Sequence, residues 1–144
     1  MRGNSCEIRA GRLMEIRVAE GYRSLADVDD MRRKIGAAFE AVPAGESVVI
    51  SADWRHCRLM AAEASDAVGK MMGSFNARIE RSGILSAPDS PIAAMQILRV
   101  IRESQHPHRR LFYDTLEISS WLGELLTPDE TFRLREFLTH SPAG

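Results

Sequence analysis

The first part of the chain alternates apolar and charged residues with the two-residue period that is typical of β-strands. Two such runs, 6–10 and 13–19, share an apolar face formed by Ile8, Met14, Ile16 and Val18. Gly11 lies between the runs and permits a tight turn. The pattern predicts an antiparallel N-terminal hairpin, and the charged outer face of such a hairpin is free to remain in water.

Five later segments place apolar residues three and four positions apart, as amphipathic helices do. The first begins near Ser24, whose hydroxyl can cap free amides, and the third begins at Ser90 with Pro91 in its first turn. The last begins at Thr127 with a capping box and runs to about His140. The predicted apolar faces, in chain order, are Val28, Met31, Ile35, Phe39 and Val42; Met60, Ala64, Val68, Met71 and Met72; Ala94, Ile97, Leu98 and Ile101; Ile118, Trp121, Leu122 and Leu125; and Leu134, Phe137 and Leu138.

Short apolar runs between these helical segments, at 48–50, 79–87 and 111–113, are typical of strands. The unbroken β-branched run 48–50 suits an interior strand that is covered on both faces. Strands that alternate with helices are joined by crossover connections, which are almost always right-handed. We therefore predict an α/β fold with a small mixed sheet, parallel apart from its hairpin edge.

Composition limits the class of protein more than it identifies one. A chain of 144 residues can bury one ordinary core, so we predict a single domain over residues 1–144. With 19 basic and 20 acidic residues the net charge is −1, which gives no global attraction to nucleic acid. No apolar run is long enough to span a bilayer, and residues 1–5 lead into a charged segment unlike a secretory signal, so we expect a cytoplasmic protein without a membrane partner.

The best candidate for function follows the predicted central strand. Asp53, Trp54, Arg55, His56 and Arg58 lie between that strand and the second helix, and ligand sites of open α/β sheets occur at this edge. Tryptophan and arginine are also enriched at the energetic centres of protein interfaces. We predict that these five residues bind a partner. The alternative is structural: the aspartate caps or precedes the helix, the indole packs on the sheet and the first arginine is solvated.

Other chemical motifs are weak. The chain has neither of the glycine-rich phosphate-binding signatures. His56 and Cys57 are adjacent, but neighbouring side chains point in different directions and no third group orients them. His106 and His108 lack a third metal ligand at usable spacing. We predict no catalytic residue, no cofactor and no metal.

The order of elements, together with residues 79–82 (IERS), 91–96 (PIAAMQ), 109–114 (RRLFYD) and 121–122 (WL), resembles the STAS domains of anti-sigma-factor antagonists. The resemblance covers about residues 6–125 and implies a sheet with helices packed mainly on one face and a regulatory, non-enzymatic role. The helix at about 127–140 is then an extra C-terminal helix. In the antagonists a phosphorylated serine begins the helix after the central strand, whereas residues 53–60 here contain neither Ser nor Thr.

Three functional hypotheses follow. The leading one is a non-enzymatic interaction module that binds a regulatory protein without the phosphorylation switch of the antagonists. The second is a small-molecule sensor or enzyme with a pocket at the carboxyl edge of the sheet, where Asp53 and His56 would supply polar groups. The third is a homo-oligomer that pairs through the hairpin or through the terminal helix. The sequence names neither the partner nor the pathway.

Overall fold

The computed structural model describes residues 3–140, so residues 1, 2 and 141–144 of the predicted domain lie outside the described part of the chain. Within residues 3–140, five strands form one sheet in the order β1 to β5: β1 (Ser5–Ala10), β2 (Leu13–Arg17), β3 (Val48–Trp54), β4 (Ile79–Ser86) and β5 (Arg109–Phe112). The helices are α1 (Leu25–Phe39), α2 (Ala62–Ser74), α3 (Pro91–Glu103), α4 (Thr115–Gly123) and α5 (Pro128–Thr139), and a 3₁₀ turn (Asn76–Arg78) follows α2.

The sheet is mixed. Strands β1 and β2 pair antiparallel, whereas β2 through β5 are parallel to one another. Helices α1, α2 and α3 connect successive parallel strands, and β3 is the central strand of the five. The predicted α/β fold, with its N-terminal hairpin and βαβ crossovers, is confirmed.

Helices cover both faces of this sheet. Helices α1, α2 and α3 pack on one face around a large core, which includes Met14, Val28, Met31, Ile50, Val68, Met71, Ile84, Ile97 and Val100. Helices α4 and α5 pack on the opposite face around a smaller core, which includes Leu13, Val49, Leu85, Ile118, Leu122, Leu134, Phe137 and Leu138. The apolar stripe of the terminal helix is therefore buried against its own sheet and is not offered to a second chain.

The expectation that the charged outer face of the hairpin remains in water is wrong for β2. Glu15, in the middle of β2, is only 3% exposed because α5 lies over it. Arg133 of α5 reaches its carboxylate, so the charge is buried but paired. The alternation of polar and apolar residues located the strand correctly, but it could not reveal a helix that arrives from residues more than a hundred positions later.

Helix termini follow the sequence signals in most places. Ser90 accepts a hydrogen bond from the Ala93 amide at 3.1 Å, and Thr127 and Glu130 form the predicted capping box. Ser24 occupies the position before α1, but its hydroxyl makes no capping hydrogen bond. None of the helices described is long and apolar enough to span a lipid bilayer.

Candidate functional site

Strand β3 is longer than the sequence indicated, and this changes the predicted site. Asp53 and Trp54 are the last two residues of the strand, so the loop begins only at Arg55. The Asp53 side chain is 0% exposed and the Trp54 side chain is 2% exposed. Two of the five predicted partner-binding residues are therefore inside the protein.

The Asp53 carboxylate is held between two arginines. Arg17, which lies opposite it on β2, donates from Nη1 to Oδ2 at 2.8 Å. Arg55 donates from Nε to Oδ1 at 2.9 Å and from Nη2 to Oδ2 at 3.0 Å. Such charge-assisted hydrogen bonds offset the desolvation of a buried carboxylate. We refer to these three residues as the Asp53 cluster.

The Asp53 cluster holds the C-terminal end of α5. Arg17 donates to the carbonyls of Phe137 at 3.0 Å and His140 at 2.9 Å, and Arg55 donates to those of Leu138 at 3.2 Å and His140 at 2.9 Å. The last carbonyls of a helix lack partners within it and carry a partial negative charge, so guanidinium groups stabilise them. The cluster thus attaches the terminal helix to the sheet. Asp53 precedes α2 without capping it, because Ala61 occupies the position before that helix.

Trp54 belongs to the larger core. Its ring meets that of Tyr22 edge to face, with centroids 5.9 Å apart and planes at 66°. Such a pair is a favourable geometry for buried aromatic rings. The tryptophan therefore packs on the sheet and does not reach the surface where a partner would bind.

The other three predicted residues reach the surface. Arg55 and His56 are half-buried and Arg58 is exposed. Together they line a cleft of about 290 Å³ at the carboxyl edge of the sheet, and its remaining walls are formed by Ala19, Glu20, Cys57, Ala87 and Asp89. The cleft is where a pocket was expected, but Asp53 does not line it.

Cys57 is buried, and the ring of His106 contacts the backbone through both of its nitrogens. Burial raises the pKa of the Cys57 thiol to about 12, so the thiol stays protonated near neutral pH. His106 accepts a hydrogen bond at Nδ1 from the His108 amide and contacts the Ile79 carbonyl through Nε2 at 2.7 Å. Both ring nitrogens therefore serve the backbone. Within residues 3–140, no group of three or more His, Cys, Asp or Glu is placed to hold a metal.

An apolar groove beside the loop is the feature that the sequence analysis missed. Four large hydrophobic side chains surround it and are each at least half exposed: Leu59, Ile92, Met95 and Leu98. The groove encloses about 630 Å³ between the β3–α2 loop, the start of α2 and the outer face of α3. Met60, Ala62, Ser65, Gln96, Arg99 and Arg102 complete its lining.

Gln96 fixes the loop to α3. Its side-chain amide donates to the Met60 carbonyl at 2.8 Å and accepts from the Met60 amide at 2.8 Å. This paired contact satisfies both backbone groups of one loop residue, as a neighbouring strand would. Leu59 is thereby held beside the exposed residues of α3, and the groove has a defined wall.

Helix α3 shows why the groove was missed. The predicted buried face contained Leu98, but the structure buries Ala93, Ile97 and Val100 and leaves Leu98 exposed. Apolar residues occur almost all round this helix, so their spacing does not distinguish the face toward the core from the face toward solvent. The excess of apolar residues was itself the available signal, because a surface helix needs only one apolar stripe.

We compared the chain with protein-family models, with curated proteins and with solved structures. None of the three comparisons gives a match.

Proposed function

We propose that this protein is a non-enzymatic, cytoplasmic interaction module that binds a regulatory protein through the apolar groove and the adjoining loop. The observation that carries the proposal is the contiguous exposure of Leu59, Ile92, Met95 and Leu98, which are 50% to 69% exposed. Single exposed hydrophobic residues are common on soluble proteins, but a contiguous patch that lines a groove is typical of an interaction surface.

The predicted loop contributes to this surface from one end. Arg58 is exposed, lines the polar cleft and directly precedes Leu59, and in this proposal a partner seated in the groove also contacts it. Arg55 and His56 lie further along the same sheet edge, in the polar cleft. A polar, charged margin around an apolar centre is the usual anatomy of a protein interface. In this proposal Asp53 and Trp54 support the surface from inside without touching the partner.

The regulatory role is the part of the proposal that the resemblance to STAS domains supports. Those antagonists act by protein contact and are switched by phosphorylation at the helix start after the central strand. Residues 53–60 contain no hydroxyl side chain, so we propose regulation by binding alone.

The test is capture of native partners on the wild-type protein and on two surface variants. Met95→Asp places a charge in the groove, whereas Phe132→Asp places one at a similarly exposed position on α5, outside the residues that line the groove. The proposal expects a protein that is captured by the wild type and by Phe132→Asp and lost with Met95→Asp, while circular dichroism shows all three folded. Capture that is unchanged by Met95→Asp contradicts the proposal.

A second candidate function is a small-molecule sensor or enzyme that uses the polar cleft. The observation in its favour is the position of that cleft, at the carboxyl edge of the sheet with Arg55, His56 and Arg58 in its walls. A ligand retained through purification, detected by native mass spectrometry and lost in the Arg58→Ala variant, would support it. A ligand that survives this substitution would place the binding elsewhere.

A further inference from the structure

We infer that the segment that occupies the apolar groove is an amphipathic helix of about three turns whose margins carry acidic residues. The inference rests on the proposed function and names the chemistry of the partner at that same site. Three properties of the groove lead to it: its apolar walls, its charges and its length.

The walls favour an apolar helix face. Leu59, Ile92, Met95 and Leu98 present aliphatic and thioether groups, with Met95 the most exposed of them. Methionine is unbranched and adapts its shape to a partner, and for that reason it is common on surfaces that bind helices. Burying these side chains would remove from water the largest cluster of apolar residues that α3 exposes.

The charges of the groove are all positive. Arg99 and Arg102 are the charged residues of its lining, and Arg58, which lines the polar cleft, directly precedes the lining residue Leu59 in the sequence. Arg99 is partly neutralised, because it lies 3.7 Å from Asp66 and 3.2 Å from Glu103. Among residues 3–140, Arg58 and Arg102 have no carboxylate within ion-pairing distance. Two arginines without acidic partners, one in the lining and one directly before it in the sequence, complement carboxylates on whatever covers the groove.

The need to pair the backbone amides and carbonyls of the partner determines which secondary structure it adopts in the groove. The groove lies between a loop and two helices and offers no strand edge. An extended segment seated there would leave backbone amides and carbonyls unpaired against apolar side chains, which is costly. A helix pairs these groups internally, so it can lie in an apolar groove.

The length of the groove sets the length of the helix. Ile92 and Arg102 are separated by ten residues of α3, which corresponds to about 15 Å along the helix axis. A partner helix of about three turns spans the same distance. In this inference the acidic margins of the helix meet Arg58 and Arg102, and its apolar stripe packs on Ile92 and Met95.

The test uses designed peptides in place of the unidentified partner. A fluorescein-labelled peptide of about 14 residues, long enough for three helical turns when bound, carries leucines at i, i+3 and i+7 with glutamates on both margins. The matched control peptide has lysine at every glutamate position. Fluorescence anisotropy with the full chain should show the glutamate peptide binding about tenfold more tightly than the lysine peptide, and raised salt should reduce the difference.

Charge-reversal variants of the protein distinguish electrostatic attraction at the groove from an effect of the net charge of the protein. In the Arg58→Glu/Arg102→Glu variant the preference should invert toward the lysine peptide, and in Met95→Asp neither peptide should bind. The control is Arg32→Glu/Arg33→Glu, which changes the net charge equally on the exposed side of α1 and should keep the wild-type preference. A preference that does not respond to the groove reversal, or the absence of binding, overturns the inference.

A second copy of the chain is the competing occupant. Sedimentation that shows a dimer which Met95→Asp dissociates would assign the groove to self-association and overturn the inference. The experiments can reject the acidic helix without rejecting the proposed interaction surface. If the glutamate peptide does not bind but a native protein is still lost with Met95→Asp, the interaction surface stands and only the acidic helix is rejected.

Discussion

Arg133 of α5 binds the carboxylate of Glu15, in strand β2, through two hydrogen bonds. Nε donates to Oε2 at 2.7 Å and Nη2 donates to Oε1 at 2.9 Å. The Arg133 side chain is one-quarter exposed, whereas the Glu15 side chain is shielded from water. The geometry is the bidentate one in which an arginine is strongest, and hydrogen bonding to Glu15 raises the pKa of Arg133.

We predict that Arg133→Met destabilises the fold by about 3 kcal/mol, because the buried Glu15 carboxylate loses its main partner. Arg9 lies 4.0 Å away and is too distant to replace both hydrogen bonds. Urea unfolding followed by circular dichroism measures the change. In Glu15→Met/Arg133→Met no charge is left buried, so most of the stability should return; a double variant as unstable as the single one would contradict this account.

Asp53→Asn tests whether the predicted site is structural. The substitution removes the charge between Arg17 and Arg55 and should lower the free energy of unfolding by about 3 kcal/mol. Hydrogen exchange should accelerate most in the last turn of α5, where the two arginines bind the carbonyls. Asp29→Asn, in an exposed ion pair with Arg32, is the matched control and should change stability by less than about 0.5 kcal/mol. If α5 exchanges equally in both variants, the Asp53 cluster does not hold it.

Glu130 makes stability depend on pH. Burial favours the neutral carboxyl, but hydrogen bonds from the Arg12 and Thr127 amides, at 2.8 Å each, outweigh burial and lower the pKa of Glu130 below its usual value of 4.5. A carboxyl whose pKa is lower when folded stabilises the protein above its unfolded pKa. This contribution is lost as the pH falls through the folded pKa.

We therefore expect Glu130→Gln to be less stable than the wild type at pH 7 by about 1 to 2 kcal/mol, because an amide cannot accept from both backbone donors. The difference should narrow as the pH falls below about 4.5, since the wild type then loses its own contribution. Urea midpoints at a series of pH values measure this. A difference that stays constant across the series would show that the carboxylate charge is not the cause.

Local signals predicted most of the fold. The capping box at Thr127, the proline after Ser90 and the β-branched run at 48–50 each depend on residues close together in sequence, and each marks an element in the structure. Burial of Glu15 depends on a residue 118 positions later, which no local period encodes.

The candidate site was harder to predict for a related reason. In the sequence, Asp53 and Arg55 resemble a surface recognition motif. In the structure, Arg55 instead donates hydrogen bonds to backbone carbonyls at the end of α5, and backbone groups leave no signature in a sequence. The apolar run predicts a strand over 48–50, but the strand continues for four more residues and ends at Trp54, which therefore lies inside the sheet. The apolar groove was not predicted, because α3 carries apolar residues on both of its faces and their spacing does not show which face is exposed.

The two-sided cover of the sheet has a consequence for biosynthesis. Leu13 and Val49, in strands made early, face helices that begin only at Thr115 and Pro128. During translation the α1–α3 side can close while that apolar face of the sheet is still bare. A nascent chain of this protein therefore exposes one apolar face of its sheet until α4 and α5 emerge. During this interval chaperones have an apolar surface to bind.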